Sequence, residues 1–176
     1  MNMSLVTPDP TPNLDRPDYD EPRETLEGFT AYRARLGHQL RTERIGLSQW
    51  LLPAGQAAYP YHFHLAEEEV LVVLKGSLAL RTPDGWQRLS EGDVVRFAVG
   101  EDGAHQLVND TDADVAFLAI STHGRPDVVI YPDEGKLCAA ERTPDGSGLK
   151  TYFMMDSSVP YDDNIKRPEV PDVGAA

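Results

Sequence analysis

The sequence contains a single cysteine and no long run of apolar residues. That cysteine, Cys138, cannot form a disulfide within the chain, and this predicts a reducing, cytoplasmic setting. No apolar stretch approaches the length of a membrane-spanning helix, and residues 1–25 lack the apolar core of a signal peptide. The surroundings of Cys138 supply neither a base nor a helix N-terminus to activate its thiol, so we do not expect a cysteine nucleophile.

Positive charge is also scarce, since 16 lysines and arginines stand against 29 aspartates and glutamates and the formal net charge is −13. Proteins that bind nucleic acids or anionic membrane surfaces need a basic patch, so we expect neither as a partner. A one-chain transcription factor is disfavoured further because the chain carries no attached DNA-binding helices. These exclusions leave a small molecule as the expected ligand or substrate.

Short apolar runs separated by turn residues make up most of the chain. Fourteen glycines and fourteen prolines accompany runs such as VLVVL, LALRT and VAFLAIS, and Asp84 followed by Gly85 is a signal for a hairpin. Many short strands at this spacing are typical of an antiparallel sandwich or barrel. A chain of 176 residues suits one all-β domain with extensions, and we find no internal repeat and no convincing helix pattern in its core.

Composition divides the chain into three parts. Residues 1–25 are rich in proline and aspartate and predict an extended or disordered arm. Residues 26–135 carry the strand and turn signals, with an opening strand predicted at 41–52. Residues 136–176 are polar and turn-rich, and we expect them to form a C-terminal extension that covers the barrel rather than extending its sheets.

Three of the five histidines and one glutamate fall in two strand segments. His62 and His64 are two residues apart and therefore point to the same side of a strand. Glu69 opens the next apolar strand across a short bend, so its carboxylate can converge on the same point, and His105 opens a further segment, HQLVN. Three imidazoles and a carboxylate suit one divalent transition metal with coordination positions left open for water or substrate.

The pattern leaves the identity of the metal and of the carboxylate open. Fe, Mn, Zn and Ni are all compatible with this donor set, and binding should weaken at acidic pH because ligation needs neutral imidazoles. Glu67 and Glu68 compete with Glu69 for the carboxylate role, with a solvated acidic cluster as the structural alternative. His38 and His123 lie outside the pattern and are not expected to be ligands.

Several other residues have both a functional and a structural interpretation. Tyr59 and Tyr61 could supply a phenol, yet we favour surface packing for both. Asn109 more readily satisfies a turn, and solvated positions on the barrel exterior are favoured for Arg81 and Arg96. Five apolar residues could line a pocket beside the metal, although small barrels usually bury such side chains in their core: Trp50, Leu71, Val73, Phe97 and Phe117.

These residues resemble the two signature motifs of the cupin superfamily. The first motif places glycine, His-x-His, glutamate and glycine in order, and its members here are Gly55, His62, His64, Glu69 and Gly76. The six-residue gap between Glu69 and Gly76 matches the motif and favours Glu69 over Glu68. The second motif is represented by Gly92, Ala98, Gly100, His105 and Asn109. Here Ala98 replaces the usual proline, and four residues rather than two separate Gly100 from His105.

The resemblance extends over residues 35–130 and is strongest to a little-characterised group of bacterial single-domain cupins. It implies a double-stranded β-helix, a jelly-roll-like barrel with extended N- and C-terminal arms and with the metal inside. It also implies a homodimer. It does not imply a single activity, because the superfamily includes dioxygenases, isomerases, epimerases, decarboxylases and proteins that only bind.

Two functions follow as hypotheses. The first is a metal-dependent enzyme that acts on a small oxygen-containing molecule, either as a dioxygenase or as a Lewis-acid isomerase. The second is a non-catalytic, metal-holding barrel that binds or senses a small ligand. No general acid or base beyond the ligands can be named from the sequence, and this is the weakest point of the enzyme hypothesis.

Overall fold

The computed structural model describes residues 11–20, 22, 26–141, 143 and 147–166. Its strands are β1 (Tyr32–Ala34), β2 (Ile45–Leu52), β3 (Phe63–His64), β4 (Glu69–Lys75), β5 (Ser77–Thr82), β6 (Gly85–Ser90), β7 (Val94–Phe97), β8 (Gln106–Val108), β9 (Val115–Thr122), β10 (Asp127–Tyr131), β11 (Lys136–Ala140) and β12 (Lys150–Met154). One short helix, α1 (Leu36–Leu40), lies between β1 and β2. In this described part of the chain no helix is long and apolar enough to cross a membrane.

The strands form two layers. One layer is a five-stranded sheet in the order β1-β2-β9-β4-β7. The other consists of the sheets β6-β5-β8 and β12-β11-β10-β3, which are joined by a backbone bridge between His62 and His105. Every pairing between strands is antiparallel. The prediction of an all-β, double-stranded β-helix barrel is confirmed.

Alternation along β4 decides which side chains face the barrel interior. Leu71 and Val73 are buried, and they lie opposite Ala119 and Phe117 of the neighbouring strand β9. Glu69 lies on the same face as Leu71 and pairs with Phe97 of β7, so this face carries the predicted carboxylate ligand into the barrel. All five apolar candidates for a pocket belong to one buried cluster that spans both layers: Trp50, Leu71, Val73, Phe97 and Phe117.

Two regions differ from the predicted strand pattern. The strand predicted to open the barrel at 41–52 is preceded by β1 and α1. Residues 136–140 and 150–154 form β11 and β12, which extend the sheet of β10 instead of covering the barrel. Strand β11 escaped prediction because its Lys, Ala and Cys residues are weak signals for a strand. Strand β12 does contain Thr, Tyr and Phe, but the polar, turn-rich residues around it outweighed this short signal. The boundaries of the three predicted parts remain predictions.

The described portion of the N-terminal arm packs on β1 and β2 of its own chain. The side-chain amide of Gln49 donates to the backbone oxygen of Leu14 at 3.0 Å. The amide of Asp20 donates to the backbone oxygen of Arg33 at 2.9 Å, and its carboxylate pairs with Arg35. The expectation of disorder at residues 1–10, 21 and 23–25 lies outside the described residues.

Asn109 closes the turn between β8 and β9, as the sequence predicted. It is fully buried, and its amide nitrogen donates to the backbone oxygens of Leu52 at 2.9 Å and Ala113 at 2.7 Å. Its amide oxygen accepts from the backbone nitrogen and the hydroxyl of Thr111 at 3.1 Å and 2.7 Å. One side chain thereby connects β2 to the loop that follows the His105 strand.

We expect Asn109→Ala to lower the free energy of unfolding by about 2–4 kcal/mol, because the backbone oxygen of buried Leu52 loses this donor and the two hydrogen bonds from Thr111 are lost. Chemical denaturation followed by circular dichroism measures this change. Asp112→Ala, in the same loop and exposed, is the matched control and should leave the midpoint unchanged. Equal stability of the two variants would contradict the assigned role of Asn109.

Candidate metal centre

The backbone holds two of the predicted ligands side by side. The amide of His62 donates to the backbone oxygen of His105 at 3.1 Å, and the amide of His105 donates to that of His62 at 2.9 Å. As a result the two imidazole rings lie with their centroids 4.6 Å apart. His64, on the same side of its strand as His62, brings its ring centroid within 5.1 Å of the His62 ring.

Glu69 completes the group from the opposite layer. Its Oε2 lies 3.5 Å from Nε2 of His64 and 3.3 Å from Nε2 of His105. One ligand atom from each of His62, His64 and Glu69 can be chosen so that all lie within 4.8 Å of one another. His105 does not belong to this three-residue group and adjoins it through its contact with Glu69 and its ring beside His62. That the four residues bind a metal remains a prediction.

The Nδ1 atom of each imidazole is already engaged. His62 Nδ1 lies 3.0 Å from the backbone oxygen of Pro60, and His105 Nδ1 lies 2.9 Å from that of Gly103. His64 Nδ1 lies 2.6 Å from Oδ2 of Asp127. Because each partner is an acceptor, a neutral imidazole at these positions carries its proton on Nδ1. The Nε2 lone pairs are then available for an ion, as is typical of histidine ligands.

The loop before His105 is shaped by a close backbone approach. A Cβ atom on Gly103 would lie 1.8 Å from the backbone oxygen of Ala98, so only glycine fits this position. Gly103 also supplies the carbonyl that holds His105 Nδ1. The longer spacing between Gly100 and His105 is taken up by the 3-10 turn Glu101–Gly103, and His105 still reaches the centre.

The donor set fits a divalent cation. Nε2 of His105 is buried and has no hydrogen-bond partner within the described part of the chain, a situation that proteins usually avoid. Two atoms bound to one ion at about 2.1 Å lie roughly 3–4 Å apart, and both Glu69 contacts fall in this range. Three imidazole nitrogens and one carboxylate oxygen are donors that Zn, Fe, Mn and Ni accept.

Burial and neighbouring charge act differently on the histidines. Burial lowers the pKa of His105, outweighing the opposing effects of the Glu69 carboxylate and the Gly103 carbonyl. Burial also acts to lower the pKa of His64, but the hydrogen bond to Asp127 and the negative charges of Glu69, Asp127 and Glu67 outweigh it, so the pKa is raised. Of these two imidazoles, His105 is therefore the one that burial favours in the neutral form that metal binding requires.

The three consecutive glutamates have different surroundings. Glu67 is buried, with Oε2 at 3.7 Å from Nδ1 of His64, on the side of that ring away from Glu69. Glu68 points outward and pairs with Arg96 on the surface. Only Glu69 approaches the Nε2 atoms of two histidines, so the geometry favours it as the carboxylate ligand.

Aromatic rings line the histidines on two sides. The ring of Phe97 stacks on His105 with a centroid separation of 3.7 Å. Tyr59 is half-buried, and its ring centroid lies 4.8 Å from that of His62 and 6.1 Å from that of His105. The preference for surface packing was wrong for Tyr59, which belongs to the wall of the centre. Trp50 extends this wall, with its ring centroid 5.8 Å from that of Tyr59.

The remaining candidates lie elsewhere. The guanidinium carbon of Arg81 lies 4.0 Å from the centroid of the Tyr61 ring. Arg81 also forms an ion pair with Asp133. Arg81 therefore takes a structural role on the exterior, as Arg96 does. Within the described residues, neither His38 nor His123 belongs to a group of three or more potential metal ligands, and that they are not ligands remains a prediction. Cys138 is buried in a small apolar cluster on the sheet of β10.

The sequence analysis missed Asp127. This carboxylate is fully buried and forms a second group of potential ligands with His64 and Glu67. It opens β10, which pairs with β3 so that Val129 lies opposite His64. The only sequence signal is an aspartate at the start of an apolar strand, and it acquires meaning only once that pairing is known.

Comparison with known proteins identifies the family. A family model described as "Cupin domain" matches residues 48–121, which include all four predicted ligands. This part of the chain is a cupin domain. No curated protein matches the chain.

Solved cupin structures share this fold. A sugar phosphate isomerase of the cupin superfamily from Silicibacter pomeroyi has a TM-score of 0.72 and 24% identity, over 87% of this chain and 98% of that one. A protein from Acidithiobacillus ferrooxidans, provisionally named as a sugar phosphate isomerase, has a TM-score of 0.67 and 25% identity over 76% and 81%. A predicted oxalate decarboxylase from Thermotoga maritima has a TM-score of 0.52 and 20% identity over 61% and 94%.

Replacing Glu69 with glutamine should separate its role from those of its neighbours. Glu69→Gln keeps the size of the side chain but removes its charge, and we expect the dissociation constant for a divalent metal to rise more than about 100-fold, beyond the usual cost of losing a supporting residue. Isothermal titration of the metal-free protein measures this constant. Glu68→Gln is the matched control and should bind as the unmodified chain does. Unchanged binding by Glu69→Gln would remove Glu69 from the ligand set.

Proposed function

We propose that this cupin is a metal-dependent enzyme that acts on a small oxygen-containing molecule, with Lewis-acid isomerisation as the favoured reaction type. His62, His64, Glu69 and His105 would hold one divalent transition metal. The observation that carries the proposal is the buried Nε2 of His105, which has no hydrogen-bond partner in the described part of the chain and lies 3.3 Å from the Glu69 carboxylate.

The protein groups around the centre support binding of a cation with room for a further ligand. A bound divalent ion would polarise a carbonyl or hydroxyl oxygen of the substrate. His62 and His105 are oriented by backbone oxygens, so their Nε2 atoms need no rearrangement. Phe97 and Tyr59 shield the imidazoles from water. The side chain of Glu69 remains 20% exposed, and this supports access to the centre from its side.

The favoured reaction type draws on the structural relatives. Two structural relatives, each aligned over more than three quarters of this chain and of its own chain, carry the name sugar phosphate isomerase, one of them provisionally. Isomerisation of a carbonyl compound requires a group that moves a proton. Two phenols outside the ligand set are candidates: Tyr59, whose ring lies beside His62 and His105, and Tyr131, whose ring stacks on His62 with a centroid separation of 5.9 Å. Dioxygenase chemistry would use the same ligands, and consumption of O₂ distinguishes it.

The alternative is a non-catalytic, metal-holding barrel that binds or senses a small ligand. The rings of Phe97 and Trp50 support this alternative, because such rings can pack against a ligand without supplying acid or base. A small-molecule partner, a cytoplasmic location and absence of nucleic acid binding belong to the proposal, as does a homodimer, for which the edge strands of both layers offer unpaired backbone groups.

Elemental mass spectrometry of protein purified without an affinity tag tests the metal first. We expect about one Fe, Mn, Zn or Ni ion per chain, as for a cupin-type centre of four ligands. His62→Ala should lose this ion and remain folded, whereas His38→Ala, with an exposed imidazole on α1, should retain it. No ion and no uptake on titration would contradict the proposal.

Turnover is tested with the loaded protein on a panel of aldose and ketose phosphates, followed by NMR, with an oxygen electrode in parallel. The expected result is interconversion that stops when the metal is chelated and resumes when it is restored. Oxygen uptake instead would assign the dioxygenase type. Saturable ligand binding without conversion would support the non-catalytic barrel.

A further inference from the structure

The structure assigns Asp127 as the positioning residue that keeps His64 in its ligating tautomer, with the proton on Nδ1 and the Nε2 lone pair directed at the centre. This inference rests on the proposed metal site. Asp127 would not touch the ion or the substrate. It would act through the imidazole of His64.

Both carboxylate oxygens of Asp127 have defined partners. Oδ2 lies 2.6 Å from Nδ1 of His64, and Oδ1 accepts from the backbone amide of Ala66 at 3.2 Å. The side chain is fully buried, so water does not compete for these contacts. Because an ionised carboxylate can only accept, a neutral imidazole beside it places its proton on Nδ1.

The short distance shows that this contact is a hydrogen bond and not a second metal site. His64, Glu67 and Asp127 have potential ligand atoms close to one another. However, two separate ligands of a tetrahedral ion at about 2.1 Å lie roughly 3.4 Å apart. The 2.6 Å between Nδ1 and Oδ2 is instead the length of a charge-assisted hydrogen bond.

A carboxylate lies within hydrogen-bond distance of Nδ1 of His64, whereas the Nδ1 atoms of His62 and His105 lie within that distance of backbone oxygens. A backbone carbonyl is held by the fold, whereas a carboxylate also adds negative charge, which strengthens the imidazole as a donor to a cation. Glu67 adds further negative charge at 3.7 Å from Nδ1, beyond the length of a hydrogen bond. Asp127 is therefore the group that sets the tautomer.

The segment that carries Asp127 is packed tightly against the loop after His64. A Cβ atom on Gly124 would lie 2.6–2.9 Å from atoms of Ala66, so the two backbones are in direct contact. The amide of Leu65 also donates to the backbone oxygen of Val128 at 2.9 Å. The distance between Asp127 and His64 is thus fixed by the backbone on both sides.

Asp127→Asn tests this assignment sharply. The asparagine oxygen should stay on the Ala66 amide, which must have an acceptor, and its NH₂ group would then face Nδ1 of His64. A donor at this position favours the opposite tautomer, with the proton on Nε2, where it blocks ligation. In the reverse orientation the NH₂ group of the asparagine would face the backbone amide of Ala66, and two donors would meet with no acceptor between them.

Two measurements follow. Nitrogen-15 NMR of the metal-free protein, at a pH where the imidazole is neutral, should show His64 protonated on Nδ1 in the unmodified chain and on Nε2 in Asp127→Asn. Calorimetric titration with Co²⁺ should show affinity reduced by about 10–100-fold in the variant, as for other partners of histidine ligands. Asp110→Asn, which changes a surface carboxylate paired with Arg88, is the control and should change neither result.

The outcomes separate the two proposals. Equal Co²⁺ affinity in the unmodified chain and Asp127→Asn would overturn the role of Asp127 while leaving the metal site intact. Weaker affinity without a change of tautomer would overturn it as well. If the unmodified chain binds no Co²⁺, the proposed function fails, and the tautomer of His64 still decides the role of Asp127. If Asp127→Asn does not fold, an Nε2-protonated His64 in the unmodified chain overturns the assignment and an Nδ1-protonated His64 supports it.

Discussion

The paired backbone hydrogen bonds between His62 and His105 determine both the architecture and the candidate site. They join the two smaller sheets into one layer opposite the five-stranded sheet. The same bonds set two imidazoles side by side, so the distance between these potential ligands follows from the strand spacing of the barrel. Glu69 then needs only to face inward from the opposite layer. The site is consequently a product of the fold and not of a flexible loop.

Strand geometry also explains why neighbouring acidic residues differ in their surroundings. Glu68 and Glu69 alternate across the sheet, so one reaches Arg96 on the surface and the other the histidines. Glu67 precedes the strand and turns inward on the far side of His64. A run of three glutamates is ordinarily a solvated patch. Here the bend before β4 places Glu67 and Glu69 on opposite sides of the His64 imidazole and Glu68 on the outer surface.

Local strand and turn patterns indicated an antiparallel sandwich or barrel, and the resemblance of the motifs supplied the double-stranded β-helix and the preference for Glu69 among the ligand candidates. His62 and His64 share a face at any strand position, and the turn signals around β4 to β9 are strong. Asp127 could not be found in this way, since its contact with His64 spans 63 residues and depends on the pairing of β3 with β10. Tyr59 was misjudged for a similar reason: alternation places it opposite His62 only if residues 59–62 form a regular strand, and in the structure the strand begins at Phe63. Strand β11 lacked a local signal of its own, and the short signal of β12 lies within a polar, turn-rich region.

The balance of buried charge links these features to metal binding. Glu67 and Asp127 are almost completely buried and Glu69 is largely so, and all three surround His64. Burial of carboxylates is costly unless positive charge or hydrogen bonds compensate it. Protonation of His64 offers one positive charge, but His105 is held neutral by burial. On the proposed function, a divalent cation would supply the missing charge, so binding would stabilise the fold as well as complete the site. The carboxylates of Glu67 and Asp127, on the Nδ1 side of His64, would then belong to the same charged centre as Glu69.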